Sequence, residues 1–132
     1  MQHIGIDIIE IYRVEQAIAR WGENFLQRIY TDAELELYQN KPASLAARFA
    51  GKEAVIKVLD ITGGINWKDI EILANHNRKP SVRLHGKLHD HAIELGLEDV
   101  SISLSHSRDY AIAMATANNS EQNFFDPALY RC

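Results

Sequence analysis

The sequence predicts an α+β fold: a single compact domain in which a mainly antiparallel sheet packs against helices. Three observations predict it. Residues 3–11, HIGIDIIEI, begin with apolar alternation and become nearly continuous isoleucine, which reads as a strand buried on at least one face. Residues 13–59 are dominated by helical spacing. Near the end, residues 100–105 and 110–116 read as two strands flanking the short turn His106-Ser107-Arg108-Asp109. The resulting order, one strand, then a run of helices, then ββ-α-ββ, separates its helices from its late strand pairs instead of alternating them strictly.

Each element has its own warrant. In the first strand Gly5 suits a close approach of backbone or ligand. Val14, Ala17, Ile18 and Trp21, then Phe25, Leu26 and Ile29, keep a helical period, and Gly22 divides them into two short helices. Thr31-Asp32-Ala33-Glu34 has the capping-box pattern, so a helix starts there and runs to about residue 39. Pro42 precedes a strong helix over residues 44–59, and Ile61-Thr62-Gly63-Gly64 is a loop. Residues 67–73 alternate as a strand, 75–80 form a polar turn and 81–84 a short strand. Residues 86–95 are helical, with Gly96 as the C-cap. The domain is expected over 1–117, and 118–132 reads as a C-terminal tail.

Composition narrows the class. The chain has 132 residues, a net charge of −4 and 46% hydrophobic residues. Such acidity argues against a general nucleic-acid binder. No apolar run approaches the roughly 20 residues of a membrane span, and the N-terminus lacks the parts of a signal peptide. The one cysteine, Cys132, makes neither an internal disulfide nor a zinc spacing. A reduced, cytoplasmic location is the simplest expectation.

Two acids stand out. Asp7 interrupts Ile4-Gly5-Ile6-Asp7-Ile8-Ile9, where a buried carboxylate is costly unless paired or bound to a metal. It is either a ligand or a residue at a solvent-facing sheet position. Glu53 shares a helix face with Leu45, Phe49 and Ile56, with Lys57 one turn further. It is either a second ligand or half of an i,i+4 surface pair with Lys57. A hard cation such as Mg²⁺ takes oxygen ligands of this kind together with phosphate and water. Spacing alone does not bring the two acids together. His106 sits in the Ser-rich stretch Ser103-Leu104-Ser105-His106-Ser107, where it is a phosphate contact or an ordinary turn residue. His85 and His89, at i,i+4, read as a solvated face because no third ligand lies nearby.

Read in order, Gly5-Ile6-Asp7-Ile8 with Ile11 and Arg13, then Arg48-Phe49-Ala50-Gly51-Lys52-Glu53-Ala54 with Lys57, then Ser103-Leu104-Ser105-His106 resemble the motifs of the phosphopantetheinyl transferase superfamily. In size and order the chain is similar to its short, bacterial holo-[acyl-carrier-protein] synthase type. The resemblance runs from about residue 3 to about 117 and includes Trp67-Lys68-Asp69-Ile70-Glu71-Ile72 and Lys79-Pro80.

The resemblance implies a 4′-phosphopantetheinyl transferase-like fold and a reaction. Coenzyme A would give its 4′-phosphopantetheine arm to a serine of apo acyl carrier protein, leaving adenosine 3′,5′-bisphosphate, in support of fatty-acid biosynthesis. It implies that Asp7 and Glu53 bind Mg²⁺ against the coenzyme A pyrophosphate. Glu53 is also a candidate base, and Lys57 stabilises or protonates the leaving group. Ser105 and His106 would contact coenzyme A phosphates, and Arg48, Lys79 and Pro80 would line the nucleotide pocket. Arg13 and Arg28 match positions that face the acidic carrier protein. Arg20 lies between them in sequence and could extend a basic ridge, or belong to a solvated face with Glu15 and Glu23.

Short members of this superfamily form trimers with sites shared between neighbours, so Asp7 and Glu53 are expected near a subunit interface. Two departures stand apart from the pattern. Arg78 replaces a glycine that often precedes Lys-Pro, and the tail bearing Phe124, Phe125 and Tyr130 extends past the usual end. Two other classes compete: a non-catalytic coenzyme A or nucleotide module, and a Mg²⁺-dependent phosphohydrolase acting without a carrier.

Overall fold

The computed structural model describes residues 2–119. The expectations for Phe124, Phe125, Tyr130 and the end of the tail fall outside the described residues. Strand β1 (Gln2–Glu10) runs directly into helix α1 (Ile11–Trp21), and Gly22 separates it from α2 (Glu23–Ile29). Helices α3 (Asp32–Tyr38) and α4 (Pro42–Leu59) follow. Then come a 3-10 turn (Trp67–Asp69), β2 (Ile70–Ala74), β3 (Pro80–Leu84), α5 (Gly86–Glu94), β4 (Ser101–His106) and β5 (Tyr110–Asn118). β5 runs past the expected boundary at residue 117, and Asn119 makes an isolated bridge to Leu97. No helix among the described residues is long and apolar enough to cross a membrane.

Two antiparallel sheets form, with strand orders β1-β5-β4 and β2-β3. α4 is the central element. It is buried on nearly every side, from Leu45 and Ala46 through Ala54 and Val55 to Leu59. It reaches the three-stranded sheet closely because the facing side of β5 is all alanine: Ala111, Ala113, Ala115 and Ala117, each at most 3% exposed. Small residues on the sheet and Gly51 on the helix keep the two backbones near. A Cβ at Gly51 would press on Ile72, Ile102 and Leu104.

Local chemistry sets the remaining boundaries. Thr31 caps α3 in a complete capping box, its side chain accepting from the Glu34 N–H while Glu34 accepts from the Thr31 N–H. The strand expected from residue 67 starts only at Ile70. Asn66 Oδ1 accepts from the Lys68 N–H and winds the first three residues into a 3-10 turn. Trp21, expected on the apolar stripe of the first helix, is 53% exposed, whereas Val14, Leu26 and Ile29 are buried.

Arg78 adopts a left-handed conformation, φ +61°. Around it, Asn75 Oδ1 accepts from the N–H groups of Asn77 and Lys79, and the Asn75 N–H donates to the Lys79 carbonyl. The turn thus requires the φ that glycine adopts freely and that costs an L-residue roughly 1–2 kcal/mol. Arg78→Gly is therefore expected to raise stability by about 0.5–1 kcal/mol, since glycine gives back part of the gain as unfolded-chain entropy. Urea unfolding checks this, and an unchanged or lower midpoint contradicts it.

Candidate active site

The site begins at a crossing. Gly5 on β1 lies against the Ala54 carbonyl of α4, and a Cβ at Gly5 would collide with that oxygen and stand 3.0 Å from Lys57 Cβ. The close approach anticipated for Gly5 is therefore made by backbone. It brings the strand two residues before Asp7 against the helical turn that bears Glu53 and Lys57. Lys57 Nζ donates to the Ile6 carbonyl at 2.7 Å and lies 3.5 Å from Asp7 Oδ1. Lys57 pairs across to the strand, which differs from the i,i+4 surface pair with Glu53. Gly5→Ala should cost about 1–3 kcal/mol, as overpacking does. It should also reduce activity, because the strand and helix carrying the site must separate. A thermal melt alongside an activity assay measures both, and wild-type values in both would refute it.

Asp7 is half-buried on the α4 side of the sheet, paired in register with Ala113. Glu53 is also half-buried. Its carboxyl is pushed above the usual range, chiefly by burial and then by the Asp7 carboxylate, with Lys57 opposing. Two carboxylates that repel each other, one partly desolvated, are a donor set suited to a hard divalent cation. Among the described residues no group of three or more His, Cys, Asp or Glu gathers as a metal centre. His85 instead lies 3.3 Å from Glu71 Oε1, and His89 lies 3.7 Å from Asp90.

Ser105 stands elsewhere. It pairs with Ile112 on β5, which lies opposite Ile8 on β1, so all three share the outer face of the sheet. Asp7 points to the inner face. His106, the last residue of β4, is exposed beside the turn closed by the Ser107 N–H to the Tyr110 carbonyl. Lys79 and Pro80 line a cleft of about 770 Å³ between β3 and β4, together with Ser101 and Ser103. Arg48 is 7% exposed, its Nε donating to the Ile72 carbonyl at 3.0 Å and its guanidinium lying 3.5 Å from the Tyr38 ring centroid. Burial pushes its pKa down. Within the single chain this arginine ties α4 to β2.

The three arginines of the first helices divide between two adjoining grooves. Arg13 and Arg20 line one with Gln16, Ala17 and Trp21. Arg28 lines the other with Trp21, Phe25, Ile29, Phe49 and Trp67. Arg13 sits 3.8 Å from Glu10, and Arg20 stacks on Trp21 at 4.8 Å. The aromatic lining was missed by sequence reasoning, which assigned Trp21 and Phe25 to the core stripe. Their i,i+4 spacing beside Arg28 was the available signal.

A buried ion pair also escaped notice. Lys52 and Glu34, both fully buried, meet at 2.7 Å. Burial pushes the Lys52 ammonium down, against the pull of Glu34.

An α+β frame that brings two carboxylates and a lysine to one strand–helix crossing has the charges to hold a divalent cation and a phosphate, as small transferases and hydrolases of phosphate esters do. The comparisons specify which one. The family model described as the 4′-phosphopantetheinyl transferase superfamily matches residues 3–115. The chain belongs to that superfamily. A holo-[acyl-carrier-protein] synthase of Dehalococcoides mccartyi is 53% identical over 119 residues, covering 90% of this chain and 100% of the relative. Among solved structures, the Helicobacter pylori holo-[acyl-carrier-protein] synthase in complex with coenzyme A has a TM-score of 0.79 at 32% identity, covering 87% of this chain and 99% of that one. The Neisseria meningitidis holo-[acyl-carrier-protein] synthase has a TM-score of 0.80 at 32% identity, covering 88% and 97%.

Proposed function

We propose that this protein is a holo-[acyl-carrier-protein] synthase. It moves the 4′-phosphopantetheine group of coenzyme A to a serine hydroxyl of apo acyl carrier protein and releases adenosine 3′,5′-bisphosphate, a step that supports fatty-acid biosynthesis. The observation that carries the reading is the meeting of Asp7, Glu53 and Lys57 where α4 crosses β1 at Gly5. In this reading Asp7 and Glu53 hold Mg²⁺. When bound, the ion supplies charge neutralisation at the pyrophosphate. Lys57, anchored on the Ile6 carbonyl, directs its remaining N–H groups at the leaving phosphate. Glu53, beside the metal position, is the candidate to take the serine proton, directly or through a water. The nucleophile arrives on the carrier, so the chain itself needs none.

Ser105, His106, Lys79 and Pro80 form the coenzyme A contacts in this reading, and Arg48 lines the nucleotide pocket. Because Ser105 lies on the face opposite Asp7, its contribution to a site around Asp7 comes from another copy. The outer face supports that arrangement. Ile4, Ile6 and Ile8 are 60%, 53% and 60% exposed, with Tyr110, Ile112 and Met114 beside them. A contiguous apolar face of this kind is the mark of an interaction surface. The working unit is a homotrimer in the cytoplasm. The carrier docks on Arg13, Arg20 and Arg28, and its apolar side chains enter the groove of Trp21, Phe25, Phe49 and Trp67.

The test mixes the protein with coenzyme A, Mg²⁺ and apo carrier protein and weighs the carrier by mass spectrometry. A phosphopantetheine-sized gain supports the reading. An unmodified apo carrier refutes the transferase assignment. Light scattering at micromolar concentration tests the assembly, where a monomer counts against the shared site.

A further inference from the structure

We propose that the buried Lys52–Glu34 pair is a positioning device for the aromatic groove, and that recognition of the carrier protein depends on it. The inference rests on the docking reading above and deepens it. Lys52 has three ammonium hydrogens and three acceptors: the Ile29 carbonyl at 2.7 Å, Glu34 Oε1 at 2.7 Å and the Trp67 carbonyl at 3.3 Å. Ile29 and Trp67 are two walls of the groove that Arg28 lines. One ammonium therefore fixes, from below, two chain segments that no regular secondary structure joins.

The floor of the groove is tied to the same point. Phe49 lies one turn before Lys52 on α4, and its ring stacks on Trp67 with centroids 5.4 Å apart at 22°. Glu34 fixes the ammonium in turn. Its Oε1 accepts from the Thr31 N–H at 2.8 Å and its Oε2 from the Ile72 N–H at 2.9 Å, so the carboxylate is anchored to the cap of α3 and to β2. A buried ion pair is a poor choice for stability alone, because apolar residues of equal volume do as well or better. Apolar side chains cannot direct hydrogen bonds at two particular carbonyls. Holding those carbonyls at a set separation is what the charges add, and the groove is the feature whose shape follows from it.

The experiment compares wild type with the double variant Glu34→Gln/Lys52→Met, which leaves no lone buried charge. Steady-state transfer is measured with apo carrier protein and with coenzyme A as the varied substrate. The KM for carrier is expected to rise about tenfold, the size of a lost interface contact. The KM for coenzyme A and kcat at saturating carrier should stay at wild-type values. In a Trp21→Phe background, Trp67 emission should shift when the pair is removed, which requires no carrier. A folded double variant with wild-type carrier KM overturns the inference, and so does a fall in kcat with both KM values unchanged. A double variant that does not fold also overturns it, since the pair would then be holding the fold and not the groove. Phe49→Ala separates the two layers. If it too leaves the carrier KM unchanged, the docking reading has failed. If it raises that KM while the double variant does not, the inference about Lys52 has failed.

Discussion

Alanine at Asp7 or at Glu53 is expected to lower transfer by on the order of 10²–10³-fold or more, with the protein still folded. Both side chains are only half-buried, so neither supports the core. What they contribute is negative charge aimed at one point. Their mutual repulsion gives the same prediction a thermodynamic side. Glu53 has a folded pKa raised by burial and by Asp7. A raised carboxyl contributes no penalty below its unfolded pKa, and its cost grows as pH rises through the folded value. Glu53→Gln should therefore stabilise the metal-free protein at neutral pH, but not at acid pH. Solvent screening of this half-exposed group keeps the gain at about 0.5 kcal/mol or less. Mg²⁺ should reverse the order. At 100 times its Kd a bound ion stabilises wild type by about 2.7 kcal/mol, and Asp7→Ala should lose that protection. Thermal melts with and without Mg²⁺ read this independently of turnover. Near-normal transfer in either alanine variant would remove that residue from the metal assignment.

Removing one partner of the buried pair should have the largest effect on stability. Glu34→Ala leaves the Lys52 ammonium without its counter-charge and cuts loose the N–H groups of Thr31 and Ile72. The expected loss is about 3–5 kcal/mol, a large share of the roughly 5–15 kcal/mol that holds a domain together. Urea unfolding should show a lower midpoint at an unchanged slope. Replacing both partners by uncharged residues should recover most of the loss, because the penalty comes from the orphaned charge. A Glu34→Ala variant within about 1 kcal/mol of wild type, the size of one ordinary hydrogen bond, would mean that Lys52 is solvated or neutral in the fold.

Much of this architecture is legible in the residues. The capping box of Thr31 and Glu34, the division at Gly22 and the hairpin around Ser107 follow from local chemistry and stand in the structure as expected. Glycine at position 5 announced a close approach, and α4 makes it. The resemblance carried by Asp7, Glu53 and Lys57 named the superfamily to which the chain belongs. Other features had no local signal. Successive residues of β1 alternate between faces, yet nothing in their spacing says that Ile4, Ile6 and Ile8 stay exposed on the isolated chain while Asp7 turns inward. Trp21 matched the helical stripe but lies at a groove, because α2 turns away after Gly22. Lys52 adjoins Glu53 and reads as one more charge on a helix.

The sequence by itself determined the element order, the caps and turns, and the identity of the acids that do not suit apolar surroundings. These depend on side chains within a few residues of one another and on the cost of placing a charge in a hydrophobic run. The tertiary structure decided which charges meet. Asp7 and Lys57 are 50 positions apart, and Glu34 and Lys52 are 18. The first closes because alanines on β5 and Gly5 on β1 let α4 sink onto the sheet, and the second because α3 packs beside α4 and β2. Coulombic attraction and repulsion act through space, so the pairing that makes a site or a keystone exists only once the backbone has been packed.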